Sequence, residues 1–339
     1  MRVWFNRTFS TVHAAISLIR QADVVGNYHI VYTHTSPDTP ASRIAHQFGV
    51  EPKSTTGEKY VEWCLAFCLE HDIGIFVPGK EASAISGARE RFAAQGTRVL
   101  CTATQEVLHL LHDKARFCKT VDLPQAAPAA FRVFENVEQF DAAYDELARD
   151  YETLCIKPSV SVYGRGFAVL DKDRNAAQLL LDGAAYRIGL EDFRRGLAQM
   201  ESCRPMLLME YLSGAEYSVD CVGDNGRLIC AVPRKKSVVA DQGQTIVMDP
   251  VVLDATAKLA AAYQLNGNFN VQFREDSDQP RLLEINPRMS GGIGMACLAG
   301  PNLPYLALRG FDGGFDGLDV PAVREGLRVN EMSHPVVAL

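Results

Sequence analysis

The stretch Leu282-Leu283-Glu284-Ile285-Asn286-Pro287-Arg288-Met289-Ser290-Gly291-Gly292 decides the fold of the chain's C-terminal half. Alternate side chains of an extended segment share a face, so Leu282, Glu284 and Asn286 point the same way. The run before it, Phe269-Asn270-Val271-Gln272-Phe273-Arg274, alternates strictly and collects Asn270, Gln272 and Arg274 on one face of a second strand. Glu275 to Pro280 is turn-like. A hairpin pivoting near Asp278 sets Gln272 opposite Glu284, because cross-strand partners are equidistant from the turn. Oxygen donors from glutamate, asparagine and glutamine suit a hard cation such as Mg2+, whose remaining positions water and phosphate oxygens fill. The polar face of an exposed edge hairpin is the competing reading. Against it stands the continuation from Pro287 to Gly294, a glycine-rich loop whose backbone N–H groups can meet phosphate or acyl-phosphate oxygens beside a fixed cation.

The remaining chain sets the limits of that reading. At 339 residues, with 47% hydrophobic and 22% charged side chains, it suits two or three packed modules and carries no disordered majority. A formal charge of -7 argues against a general nucleic-acid or anionic-membrane binder and points to small-molecule partners. No apolar run reaches membrane-spanning length, and the first residues lack an apolar core followed by a small-residue cleavage site, so the expected compartment is cytoplasmic. The nine cysteines fall singly inside apolar segments and read as reduced core residues. Cys64 with Cys68, and His109 with His112, share helix faces but lack the second pair that a zinc site requires.

Short apolar strands and helical patterns alternate through the first hundred or so residues, as in a doubly wound parallel sheet. The expected strands are Arg2 to Phe5, His29 to Thr33, Ile73 to Pro78 and Thr97 to Leu100; the expected helices are Val12 to Arg20, Ala41 to Phe48, Lys59 to Glu70 and Ile85 to Gln95. Asn6-Arg7-Thr8-Phe9-Ser10 after the first strand has no glycine, which disfavours a dinucleotide fingerprint and leaves Ser10 or Thr11 as a helix cap or a substrate contact. A helix from Thr102 to Lys114 and a proline-marked extension (Pro124, Pro128) open a second region. It continues with strands Thr153 to Lys157 and Gly166 to Leu170, then helices near Asn175 to Leu181 and Leu190 to Ser202, a pattern that suggests a mobile lid. From Pro205 the chain is strand-rich, with Met206 to Tyr211, Glu216 to Val222 and Leu228 to Val232 ahead of a helix from Val251 to Tyr263 and the last hairpin. The division is residues 1–103, 104–204 and 205–339.

Several charged residues invite a role. Lys157 sits amid Leu154-Cys155-Ile156 in a strand, where an unpaired ammonium is costly. Arg165 is either a phosphate or substrate contact or a solvent-facing hairpin arginine. Pro233-Arg234-Lys235-Lys236 closes a strand with three positive charges, and Arg234 is the best phosphate or substrate contact among them; a solvated strand end is the alternative.

From Leu111 to Gly310 the sequence resembles the ATP-grasp superfamily, especially the group that includes the carbamoyl-phosphate synthetase large chain and biotin carboxylase. Glu284 to Gly292 carries the specific part of the match. The resemblance implies an N-terminal parallel-sheet domain of the kind that precedes ATP-grasp, then a two-subdomain ATP-grasp fold with a mobile lid, in all α/β and α+β. It makes Glu284 and Asn286 metal ligands, puts Gln272 at the metal or the phosphates, and makes Arg288 a contact to the γ-phosphate and acyl-phosphate held against Gly291 and Gly292. Asp113-Lys114-Ala115-Arg116-Phe117 looks like the family's lysine at its first lid helix and Lys157-Pro158 like its second lysine, two point charges for the α- and β-phosphates. Ser159 to Gly166 resembles the family's closing loop, though it is poorer in glycine. Glu210, Tyr211 and Leu212 become the hinge that reads adenine, largely with backbone groups, and Glu216 the ribose-hydroxyl acceptor. The implied cofactors are ATP and Mg2+, as one ion or two, with Mn2+ as a substitute. The implied activity is ligation of a small-molecule carboxylate to an amine, thiol or other nucleophile through an acyl-phosphate, releasing ADP and phosphate, with a homodimer as the candidate assembly. Activation of bicarbonate or carbamate and non-catalytic nucleotide sensing are the alternatives.

Overall fold

Val3 and Phe5 alternate with Trp4 along the first strand, and that period sends the two sets to opposite faces of a sheet covered on both sides. In the computed structural model, which describes residues 1–8, 11–161, 165–181, 186–237, 243–277 and 279–332, this strand, Arg2–Phe5, is the middle of a five-stranded sheet. Across the sheet the order is Gln47–Val50, His29–His34, Arg2–Phe5, Ile75–Val77 and Arg98–Val99, every neighbouring pair parallel. Val3 and Phe5 pack with Ile16 and Ile19 of the helix Thr11–Ala22; Trp4 packs with Tyr60, Cys64 and Phe67 of the helix Gly57–Glu70. Trp4 also stacks on Phe76 with ring centroids 4.0 Å apart. Ser10 lies outside the described residues, and Thr11 opens the helix.

One expected helix, Ala41 to Phe48, is absent. The segment makes a single turn, with Ala45 N–H on the Ala41 carbonyl, and then becomes the strand Gln47–Val50. His46 is responsible: its N–H bonds the Ile30 carbonyl and its ring accepts from Ile30 N–H at 2.8 Å, so the neighbouring strand captures the chain before a second helical turn forms. The helix expected from Ile85 to Gln95 is two short ones, Ala82–Gly87 and Arg89–Ala94. The helix expected from Thr102 to Lys114 spans Gln105–His112 and stops at Asp113, which caps the next one, Lys114–Thr120.

The second sheet runs Phe131–Phe134, Met206–Glu210, Leu154–Pro158, Ala168–Asp171 and Arg187–Gly189, antiparallel except for its last pair. The third runs Gln279–Asn286, Gly267–Asp276, Glu216–Asp224, Arg227–Lys236, Gln244–Ile246 and Arg328–Val329. By chain contacts the residues form two units. The first comprises Met1–His109, Ala215–Phe273 and Ile285–Leu339; the second comprises Leu110–Gly214 and Arg274–Glu284. Residues 205–214 and 274–284 thus group with the second unit, away from the rest of the expected segment 205–339. Among the described residues no helix is long and apolar enough to cross a membrane, and the nine cysteines are free thiols, six of them buried.

Candidate functional site

In the second unit, the start of the helix Lys114–Thr120 is tied to the end of the strand Leu154–Pro158. Asp113 accepts the Arg116 N–H at 3.2 Å and the Ser159 hydroxyl, while the Ser159 hydroxyl accepts the Ala115 N–H at 3.2 Å. This clamp fixes Lys114, which is 8% exposed. Its ammonium donates to the Ser161 carbonyl at 2.9 Å and lies 3.4 Å from a Glu284 carboxylate oxygen. A charge so nearly buried needs compensation, and Lys114 finds it in Glu284, the leading metal-ligand candidate.

Lys157 is half-buried in an inner strand, paired in register with Leu207. Alternation puts it on the face of Cys155, which packs with Met209 and Leu212 and is flanked by Phe167, Tyr211 and Leu283. Burial pushes the Cys118 thiol up; Lys157 and Lys114 pull it back down, and Glu284 raises it.

Glu210 is 7% exposed. Its carboxylate accepts from Ala130 N–H at 3.2 Å and from Arg281 at 3.3 Å, and Arg281 also donates to the Ala127 and Pro128 carbonyls at 2.9 and 3.0 Å. The Glu210 side chain is thus occupied by Ala130 and Arg281, and Tyr211 N–H bonds the Thr153 carbonyl at 3.1 Å. Leu212 is buried in the apolar cluster. The Arg274 guanidinium lies over the Tyr211 ring, 5.7 Å from its centroid. Sequence reasoning missed Arg281, an ordinary strand arginine until its four acceptors, Ala127, Pro128, Glu210 and Asp276, are known. Of the expected closing loop, Val162 to Gly164 lie outside the described residues; Arg165 is exposed. Gly166 has φ +82°, and a β-carbon there would come within 2.8 Å of Pro158, so glycine is required.

In the first unit, Asn286 and Arg288 occur together: the guanidinium donates to Asn286 Oδ1 at 3.3 Å and to the Met289 carbonyl at 3.4 Å. Gln272 is half-buried on Gly267–Asp276, the strand next to Gln279–Asn286 in the sheet. The proposed pivot Asp278 lies outside the described residues. Glu216 is the register partner of Lys236 and forms an ion pair with it.

Arg234, expected as a phosphate or substrate contact, is buried. It is 2% exposed, and its guanidinium donates to Asp220 at 2.7 and 2.9 Å, to Ser218 at 3.1 Å, to Ser290 at 3.0 Å and to Gln244. The alternative of a solvated strand end gives way to a buried ion pair. The two loop glycines also differ. A β-carbon on Gly292 would come within 2.5 Å of the Arg234 guanidinium, whereas one on Gly291 meets nothing within 4 Å. Gly292→Ala is therefore expected to destabilise the protein by about 1–3 kcal/mol through overpacking. Gly291→Ala should leave the unfolding midpoint unchanged; denaturant titration of both variants checks the contrast.

Among the described residues no three His, Cys, Asp or Glu side chains are grouped to hold a metal. The second unit offers the Glu284 carboxylate and the first the amide oxygens of Asn286 and Gln272, hard oxygen donors of the kind that Mg2+ takes and zinc does not.

Fold and motif are together similar to those of the ATP-grasp superfamily. Residues 202–335 match the family model described as ATP-grasp in the biosynthetic pathway with Ter operon. The carbamoyl phosphate synthase large chain of Corynebacterium glutamicum is 26% identical over 317 residues, which cover 89% of this chain and 26% of that one. This chain thus spans about a quarter of that relative's length. Among solved structures, the biotin carboxylase domain of Hydrogenobacter thermophilus 2-oxoglutarate carboxylase, in complex with MgADP, ADP and bicarbonate, superposes with a TM-score of 0.66 at 16% identity, covering 97% of this chain and 72% of that one. The L-amino acid ligase of Bacillus licheniformis gives 0.62 at 12% identity, covering 94% and 77%.

Proposed function

We propose that the protein binds Mg-ATP and uses it to join a small-molecule carboxylate to an amine or another nucleophile. The observation that carries the reading is the Lys114–Glu284 pair: a nearly buried ammonium 3.4 Å from the carboxylate of the LLEINPR motif. Lys114 and Lys157 take α- and β-phosphate oxygens, the backbone from Glu210 to Leu212 reads adenine, and Glu216 accepts ribose hydroxyls once Lys236 is displaced. Glu284, Asn286 and Gln272 would hold Mg2+, which supplies charge neutralisation at the β- and γ-phosphates. Arg288 stabilises the γ-phosphoryl group as the substrate carboxylate attacks phosphorus, the bond to the β-phosphate oxygen breaks and ADP leaves. The acyl-phosphate is then attacked at carbon by the amine, which gives up a proton as the carbon–oxygen bond to phosphate breaks. The open space at Gly291 suits a loop that approaches phosphoryl oxygens by its backbone.

The motif contains no side-chain nucleophile, so no phospho- or acyl-enzyme is expected in intact-mass spectra under turnover; a trapped adduct would overturn this point. The likeness to a carbamoyl phosphate synthase and to a biotin carboxylase supports a second reading, in which bicarbonate is the acid activated. ADP release measured with pooled carboxylates and amines in one arm, and with labelled bicarbonate alone in another, separates the two. Tight Mg-ATP binding without ADP release in either arm would reject catalysis.

A further inference from the structure

A buried ion pair in the first unit stands directly behind the glycine loop. Arg234 and Asp220 are 2% and 0% exposed, and Asp220 Oδ1 additionally accepts from Asn270, itself 0% exposed, at 3.3 Å. Such a pair gains little stability over apolar residues of the same size, because both charges lose their hydration. What it does provide is direction. The guanidinium is a rigid planar fork with fixed N–H vectors. With Asp220 holding Nε and Nη2 on one edge, Nη2 also reaches the Ser290 hydroxyl at 3.0 Å. That hydroxyl in turn accepts the Gly292 N–H at 3.1 Å. The Gly292 α-carbon sits so close to the guanidinium that no β-carbon fits between them.

We propose that Arg234 is a positioning residue: through Ser290 and Gly292 it fixes the loop after Arg288 in the geometry that receives the γ-phosphoryl group, while touching no ligand itself. The proposal rests on the Mg-ATP reading above. It explains why a cation is kept at a buried place and why Gly292, unlike Gly291, lacks room for a side chain.

The test compares Mg-ADP with Mg-AMPPNP, which adds a γ-phosphate surrogate, by isothermal titration calorimetry on the full chain. Ser290→Ala removes one hydroxyl and Arg234→Lys keeps the charge but loses the fork. Each is expected to leave the Mg-ADP dissociation constant within about twofold and to weaken Mg-AMPPNP about tenfold. The double variant should show the same tenfold loss, since both changes break one linkage. A purely structural role would lower the melting temperature or shift both nucleotides equally. An unchanged ratio of the two dissociation constants in both single variants overturns the positioning role while leaving the Mg-ATP reading intact. Failure of the unaltered protein to bind either nucleotide rejects the Mg-ATP reading and the proposal with it. If Arg234→Lys does not fold, Ser290→Ala decides the matter alone.

Discussion

Glu284→Ala is expected to lower Mg-dependent ATP turnover by about 10²–10³-fold, the usual effect of deleting one group aimed at transition-state charge, with the fold retained. The carboxylate has two tasks that the substitution removes together. It is the one anionic oxygen donor in the proposed Mg2+ set, and it pairs with Lys114 across 3.4 Å. The loss of its carboxylate partner costs Lys114 some stability and lowers the melting temperature, but Lys114 keeps its bond to the Ser161 carbonyl and the neighbouring Leu282 and Ile285 remain in the core, so the fold is retained. Glu284→Gln separates the tasks further, since it preserves shape and one oxygen while removing the charge. ADP release and a thermal melt on the same samples provide the check. Unchanged turnover overturns the metal assignment; lost turnover with a collapsed melt returns Glu284 to a structural role.

Arg288→Ala is expected to lower kcat by about 10³-fold and to change the KM for ATP only a few-fold. A guanidinium at a transferring phosphoryl group stabilises charge that is greatest in the transition state, and such arginines contribute about 10³–10⁵ in rate. An interaction that strengthens only at that point appears in kcat and not in ground-state binding. The guanidinium donates to Asn286 Oδ1 at 3.3 Å and to the Met289 carbonyl at 3.4 Å, both long contacts. Arg288→Lys should recover little, because an ammonium lacks the planar fork. Steady-state kinetics distinguish the outcomes: a rise in KM with kcat unchanged would make Arg288 a simple binding residue.

Clean periodicity made the first sheet legible, with Val3, Trp4 and Phe5 fixing its two faces, and the alternation after Leu282 gave the strand Gln279–Asn286. Two kinds of information were out of reach. Local pattern did not show capture by a neighbouring strand, which turned Ala41 to Phe48 from helix to turn and strand. It also hid the strand Phe131–Phe134 and the helix Val137–Leu147 behind the prolines before them, although Asn136 carries a cap signal realised by its bond to the Gln139 N–H. The larger loss was register. Asn225-Gly226 marks a tight hairpin, with both residues at positive φ. A regular hairpin about that turn would set Arg234 opposite Tyr217. The irregularity between Val222 and Gly223 shifts the pairing by one and sets it opposite Ser218, beside Asp220. One residue of slip thus brings Arg234 to the face of its carboxylate partner, where it is buried.

The way the chain passes back and forth between its two units bears on synthesis. All five strands of the first sheet have been made by Val99, so that sheet's hydrogen bonds can form while later residues are still being added at about 5–20 per second. The second unit, mostly complete at Gly214, must wait for Arg274–Glu284. Until Arg281 emerges, the Glu210 carboxylate lacks the cation that holds it in the folded protein. A nascent chain paused between these points is therefore the form most exposed to proteases and most in need of a chaperone, and slow codons placed there would be felt in yield before they were felt in activity.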